Sequence, residues 1–134
     1  MTHSFEEHVG EVRLCVKAPS LAGLFEEAAA AICELIAGDG ASLARAGTEH
    51  VSVRAFDREA LLVAWLNEIV YRSEVGKVVF PAAHVESVGD RVLEATLERA
   101  EPNAILVPVK AATMHDVRVA TTAEGWTAQV VLDV

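Results

Sequence analysis

The chain has 134 residues, 52% of them hydrophobic, and a formal net charge of −9, which suits one domain spanning residues 1–134 with a substantial core. No segment approaches the roughly 20 consecutive apolar residues of a membrane helix. An acidic chain gains no counterion release from polyphosphate, so neither a membrane span nor strong direct nucleic-acid binding is expected.

Residues 1 to 7 lack a basic region followed by an apolar one, so no signal peptide is expected. Cys15 and Cys33 are too few for a disulfide framework, and reduced thiols in a cytoplasmic protein are the expectation.

Residues 5 to 17 read as a strand, with Val12, Leu14 and Val16 alternating against Glu11, Arg13, Cys15 and Lys17. Gly10 interrupts it, which suggests a bulge or a close backbone approach before Glu11. Ser20 then caps a helix whose stripe is Leu21, Leu24, Phe25, Ala28, Ile32, Leu35 and Ile36, and which ends at Gly38-Asp39-Gly40. Residues 39 to 47, rich in Gly, Ala and Ser, read as a loop, and residues 48 to 56 as a second strand.

Asp57 caps a second helix over 57 to 73, with Leu61, Leu62, Trp65, Leu66, Ile69 and Val70 at helical spacing and Gly76 as its stop. Asn67, Glu68 and Arg72 fall largely off that stripe. The remainder is β. Val78 to Phe80 form a short strand that Pro81 ends or moves to an edge. Residues 84–88 and 91–99 flank a tight Gly89-Asp90 hairpin. Residues 107–120 and 126–134 form a second hairpin through Ala123-Glu124-Gly125. The order β-α-β-α-β-β-β-β gives a single α+β domain, two helices packed on one face of a largely antiparallel sheet.

The last strand alternates Trp126, Ala128, Val130, Leu132 and Val134 against Thr127, Gln129 and Asp133. Its terminal α-carboxylate lies one residue from Asp133. That makes Asp133 either an ordinary solubilising charge or half of a hard-cation site. The five histidines form no zinc-binding spacing, and there is no phosphate loop or nucleophile elbow. Two stretches stand apart: His8-Val-Gly-Glu11, and Lys110-Ala-Ala-Thr113-Met-His115-Asp116. Strict alternation from Val117 and Val119 turns Thr113 and His115 inward and Lys110 and Asp116 outward.

These two stretches, with Asp57-Arg-Glu-Ala-Leu-Leu-Val-Ala-Trp65-Leu-Asn67-Glu68 and the closing Leu132-Asp133-Val134, resemble the archease family in order and spacing over nearly the whole chain. The resemblance implies a non-catalytic accessory protein of an RtcB-type RNA ligase, which joins RNA ends in tRNA splicing and RNA repair using GTP and a divalent metal. It would promote guanylylation of the ligase active-site histidine and multiple turnover. The family has also been described as a chaperone-like modulator of a tRNA methyltransferase, which is the alternative partner.

Carried over by position, the implied metal ligands are Glu11, Asp133 and the main-chain carboxylate of Val134. Lys110 matches a functional lysine, and His8 and His115 are the other candidate partner-activating residues. Oxygen donors of this kind suit Ca²⁺ first, with Mg²⁺ or Mn²⁺ as the other cations. The enzymatic alternative is a metal-dependent phosphoesterase built on Glu11, Asp133 and His115. The sequence departs from the family pattern at Glu11, where Asp is usual, at Val9 and Gly10 in place of Thr and Ala, and at Ala64 in place of an Asp.

Overall fold

A computed structural model describes residues Met1–Val134. The chain forms β1 (Thr2–His8), β2 (Glu11–Ala18), α1 (Leu21–Ala37), β3 (Leu43–Arg54), α2 (Arg58–Gly76), β4 (Val79–Val88), β5 (Val92–Pro102), β6 (Ala111–Thr122) and β7 (Gly125–Asp133). The α+β class and the order of elements are as the sequence reads, with one refinement at the start. The interruption at Gly10 is a chain reversal. Gly10 takes φ +76°, the left-handed region that lets two residues close a hairpin, and His8 then pairs with Glu11.

The strands form two antiparallel sheets where the sequence suggested one. A four-stranded sheet has the order β1-β2-β7-β6 and a three-stranded sheet the order β3-β5-β4. α1 packs against β4 of one sheet and β2 of the other, and α2 packs chiefly against β6. A helix pressed against strands of both sheets needs small side chains, and Ala28, Ala29 and Ala31 of α1 are fully buried beside Leu24, Phe25 and Ile32. Ser20 caps α1, accepting from the Gly23 N–H at 3.0 Å. Asp57 caps α2, accepting from the Ala60 N–H at 2.8 Å. Each such cap is worth about 1 kcal/mol.

The helices are locked together by Trp65, which is fully buried. Its indole Nε1–H donates to the Phe25 carbonyl at 2.9 Å. This satisfies the ring's one polar group inside the core, where leaving it unpaired would cost about 1–3 kcal/mol.

The largest departures from the sequence reading lie at β3, β4 and β6, each for a visible reason. β3 begins at Leu43, inside the expected loop, because its first residues are solvent-exposed and lack an alternating pattern; its register shifts between Arg45 and Thr48. β4 runs through Pro81 as one strand, with a register shift between Val79 and Ala82. β4 is an edge strand, where a missing N–H is tolerated. β6 starts at Ala111, later than residue 107, and residues 106–107 instead cross the end of α1. There the Leu106 N–H donates to Ile36 O at 2.7 Å. Gly38 makes room for this crossing, since a Cβ there would lie 2.6 Å from Leu106 Cδ1.

Both cysteines are free, and burial pushes the Cys33 thiol up to about 11. It is therefore a packing residue with almost no thiolate at neutral pH.

His3 ties β1 to α1. Its Nδ1 lies 2.6 Å from Glu27 Oε2 and its Nε2 2.8 Å from Glu34 Oε2. Ionised carboxylates only accept, so both ring nitrogens must donate and the ring is held as imidazolium. Burial lowers its pKa, but the hydrogen bonds and charges of Glu34 and Glu27 outweigh burial and leave it raised above 6.5. A raised folded pKa stabilises fully below the unfolded value and loses that contribution as pH rises through the folded one. Wild-type stability in urea is therefore expected to fall above about pH 6.5. His3→Gln should lose that slope, as urea melts from pH 5.5 to 8.5 would reveal.

Candidate functional site

The four-stranded sheet brings the two ends of the sequence together. β2 and β7 are neighbours, and their register sets Glu11 directly opposite Asp133. On the far side of β7, Ala111 is opposite Asp133, and on the far side of β2, His8 is opposite Glu11. Cross-strand partners share a face, so His8, Glu11, Asp133 and Ala111 form one row at the end of the sheet. Glu11 and His8 are exposed and Asp133 is half-buried.

This strand end does not fray. The Lys110 N–H donates to Asp133 O at 2.8 Å, and the Val134 N–H donates to Gly10 O at 3.1 Å. The backbone around Asp133 is therefore held from both sides. Directly opposed residues have Cβ atoms about 4.5–5.5 Å apart, and neither Glu11 nor Asp133 forms an ion pair. Like charges about 4 Å apart repel by about 1 kcal/mol in water and about 4 kcal/mol near a protein surface. A cation seated between the two carboxylates would offset that repulsion.

The donor set fits a hard cation in kind, being all carboxylate oxygen. No three His, Cys, Asp or Glu side chains lie close enough to hold a metal ion. A cation here thus has two side-chain carboxylates at most. The same fact separates His115 from Glu11 and Asp133, so the three do not form the ligand cluster that a phosphoesterase reading assigns them.

His115 does not point inward. Between Thr113, paired with Val131, and Arg118, paired with Gln129, four residues of β6 face one of β7. Alternation fails across this bulge, and Asp116 adopts φ +54°. The His115 side chain is 70% exposed, with Nε2 3.3 Å from Asp116 Oδ2. The bulge is anchored by Gln129, whose Nε2 donates to Asp116 O at 2.9 Å, and by Arg13, 3.8 Å from Asp116. Thr113 is half-buried, and its hydroxyl donates to Val131 O at 3.0 Å.

Asn67 has no role in the sequence reading beyond its place in the helix motif. In the structure its side-chain amide acts as a piece of strand. Nδ2 donates to Ala112 O at 3.0 Å and Oδ1 accepts from the Ala112 N–H at 2.7 Å. β6 is an edge strand, so α2 closes its open edge two residues from Lys110. The available signal was a carboxamide, able to donate and accept at once, set directly after the buried Trp65-Leu66 pair. Glu68, in the same motif, is engaged with Arg72 at 3.1 Å, and Arg72 reaches Glu49 of β3 at 2.9 Å.

The family model described as "Archease protein family (MTH1598/TM1083)" matches residues 3–134. The chain belongs to the archease family. It is 29% identical over 140 residues to "Protein archease" of Methanosarcina acetivorans, covering 98% of this chain and 95% of that one. It is 30% identical over 138 residues to "Protein archease" of Archaeoglobus fulgidus, covering 100% of both. The solution structure of Methanobacterium thermoautotrophicum protein 1598 superposes with a TM-score of 0.71, 21% identity and 98% coverage of both chains, a likeness of fold. No helix of this archease-family chain is long and apolar enough to cross a membrane.

Asn67→Ala should cost about 1–3 kcal/mol, because it strands two backbone groups of Ala112 at a partly buried edge. Urea unfolding would measure the loss. Hydrogen exchange should show faster opening at Ala112 than at the β7 amides.

Proposed function

We propose that this archease-family protein is a non-catalytic cytoplasmic accessory factor that promotes guanylylation and multiple turnover of an RtcB-type RNA ligase. It would act with a hard divalent cation, Ca²⁺ first and Mg²⁺ or Mn²⁺ otherwise. The observation that carries this reading is the register that sets Glu11 opposite Asp133, with Val134 next in the chain.

Glu11, Asp133 and the Val134 carboxylate would hold the cation. When bound, it would offset their mutual repulsion and leave the sheet end with much less negative charge. Glu11 sits at a hairpin end beside the exposed Val9, and its longer arm has open space in which to adjust. Lys110 is itself pinned to Asp133 through its backbone N–H, so its side chain starts from a defined point relative to Asp133. Exposed His8 and His115 lie on the flanking strands β1 and β6. With a net charge of −9, a protein partner suits the surface better than direct RNA contact.

The deciding experiment measures RNA joined per ligase molecule, with GTP and Mn²⁺, at substoichiometric amounts of this protein. Turnover should rise from about one product per ligase to many. Glu11→Ala, Asp133→Ala and Lys110→Ala should each remove most of the gain. An unchanged yield with the cognate ligase would defeat the reading and direct attention to a tRNA methyltransferase client.

The cation has its own test, which needs no ligase. At a hundredfold excess over its Kd, a bound ion adds about 2.7 kcal/mol to stability. Ca²⁺ should raise the melting temperature of the wild type but not that of Asp133→Asn, in protein tagged at the N-terminus so that the Val134 carboxylate stays free.

A further inference from the structure

Away from the carboxylate row, a cleft of about 660 Å³ opens between the ends of α1 and α2 and residues 102–110. Its walls are largely apolar, including Ile36, Val70, Val78 and Val109. That volume lies within the about 300–1,000 Å³ typical of small-molecule clefts. Two further features distinguish it from a packing defect.

The first is charge. The chain has three lysines and a net charge of −9, yet Lys77 and Lys110 both line this cleft, against one acidic residue, Glu74. Lys77 is held there by the backbone. It is the C-cap of α2 in the left-handed region, with φ 55° and ψ 41°, and its N–H donates to Ser73 O. A lysine in that conformation is uncommon and costs about 1 kcal/mol or more.

The second is an open hydrogen bond. Ser73 lines the cleft and is 8% exposed. Its carbonyl is satisfied by the N–H groups of Lys77 and Val78, but its buried hydroxyl has no hydrogen-bond partner. Buried polar groups are nearly always paired, so an unpaired one beside an open cleft points to a partner from outside the chain.

The geometry points to a binding site for a small organic anion, an apolar body seated against Ile36, Val70 and Val109 with an acidic head taken by Lys77 and Lys110 and, once its side chain turns outward, by the Ser73 hydroxyl. This inference does not rest on the ligase reading or on the cation.

The test is an amide-shift NMR titration of the full chain with 1-naphthoate, with neutral 1-naphthylmethanol and inorganic phosphate as comparisons. Saturable shifts are expected at amides within residues 73–78 and 103–110, at least tenfold weaker for the alcohol and absent for phosphate. Ser73→Ala should weaken naphthoate about threefold to tenfold, as loss of one hydrogen bond does, while leaving the unliganded protein no less stable. Lys77→Asn keeps a residue that tolerates the left-handed conformation and should weaken naphthoate but not the alcohol. The amide spectra report directly whether each variant is folded. Equal affinity for naphthoate and alcohol, shifts scattered over the surface, phosphate binding as tight as naphthoate, or unchanged binding in both folded variants would overturn the assignment.

Discussion

The pairing of β2 with β7 is the constraint on which the rest of the molecule depends. It joins residues near the two ends of the chain, with eight register pairs from Glu11–Asp133 to Ala18–Trp126. Closing a loop of roughly that length costs about 4 kcal/mol in chain entropy, and cross-strand pairs return only about 0.2–1 kcal/mol each. Burial decides the balance. Val12, Leu14 and Val16 on β2 and Val130 and Leu132 on β7 are all at most 4% exposed, and each such side chain contributes about 1.5–3 kcal/mol. The apolar face thus fixes the register, and the register brings the two carboxylates together on the opposite face. Shifting either strand by one residue would bury the charges and expose the valines.

α2 reinforces this arrangement from the other side. Trp65 anchors it to α1 through the Phe25 carbonyl, and two residues later Asn67 pairs with Ala112 at the free edge of β6. One helix therefore both joins the helical layer and finishes the four-stranded sheet. An unpaired edge beside exposed Met114 would be open to pairing with another chain. The Asn67 amide blocks that edge near its start while leaving Lys110 outside the clamp.

What could be read from the sequence follows what the physics makes local. Helix α2 was legible because its cap, apolar spacing and stop all lie within one segment. The Glu11–Asp133 neighbourhood was legible as a conditional statement: strands that expose both carboxylates on their polar faces bring them together if the strands are adjacent. The β6 bulge was not legible, because alternation assumes an unbroken ladder and nothing in Thr113-Met-His-Asp116 announces four residues opposing one. That single irregularity turned His115 from an expected inward position to solvent. The role of Asn67 is not legible because its partner is a backbone edge 45 residues away. The hairpin at Val9-Gly10 was half visible: Gly10 marked a break, but one glycine does not say whether a strand bends or reverses.

The carboxylate row is stiff on one side and loose on the other. Asp133 belongs to a strand end held by Lys110 and by the Val134–Gly10 contact, and it is half-buried, so it cannot move away from Glu11 by fraying. Glu11 follows a hairpin tip whose Val9 is fully exposed, and its side chain can turn toward water. Any adjustment between the two side chains therefore falls to Glu11. The length of the glutamate arm suits this exposed position, since it adds reach where the neighbour cannot come closer. In the proposed cation site, Asp133 would set where the ion sits and Glu11 would adapt to it. Through the Lys110 N–H that holds the Asp133 carbonyl, the rigid side of the row is tied to the segment that also lines the lysine-bearing cleft. A displacement of residues 103–110 would thus reach Asp133 before it reached Glu11.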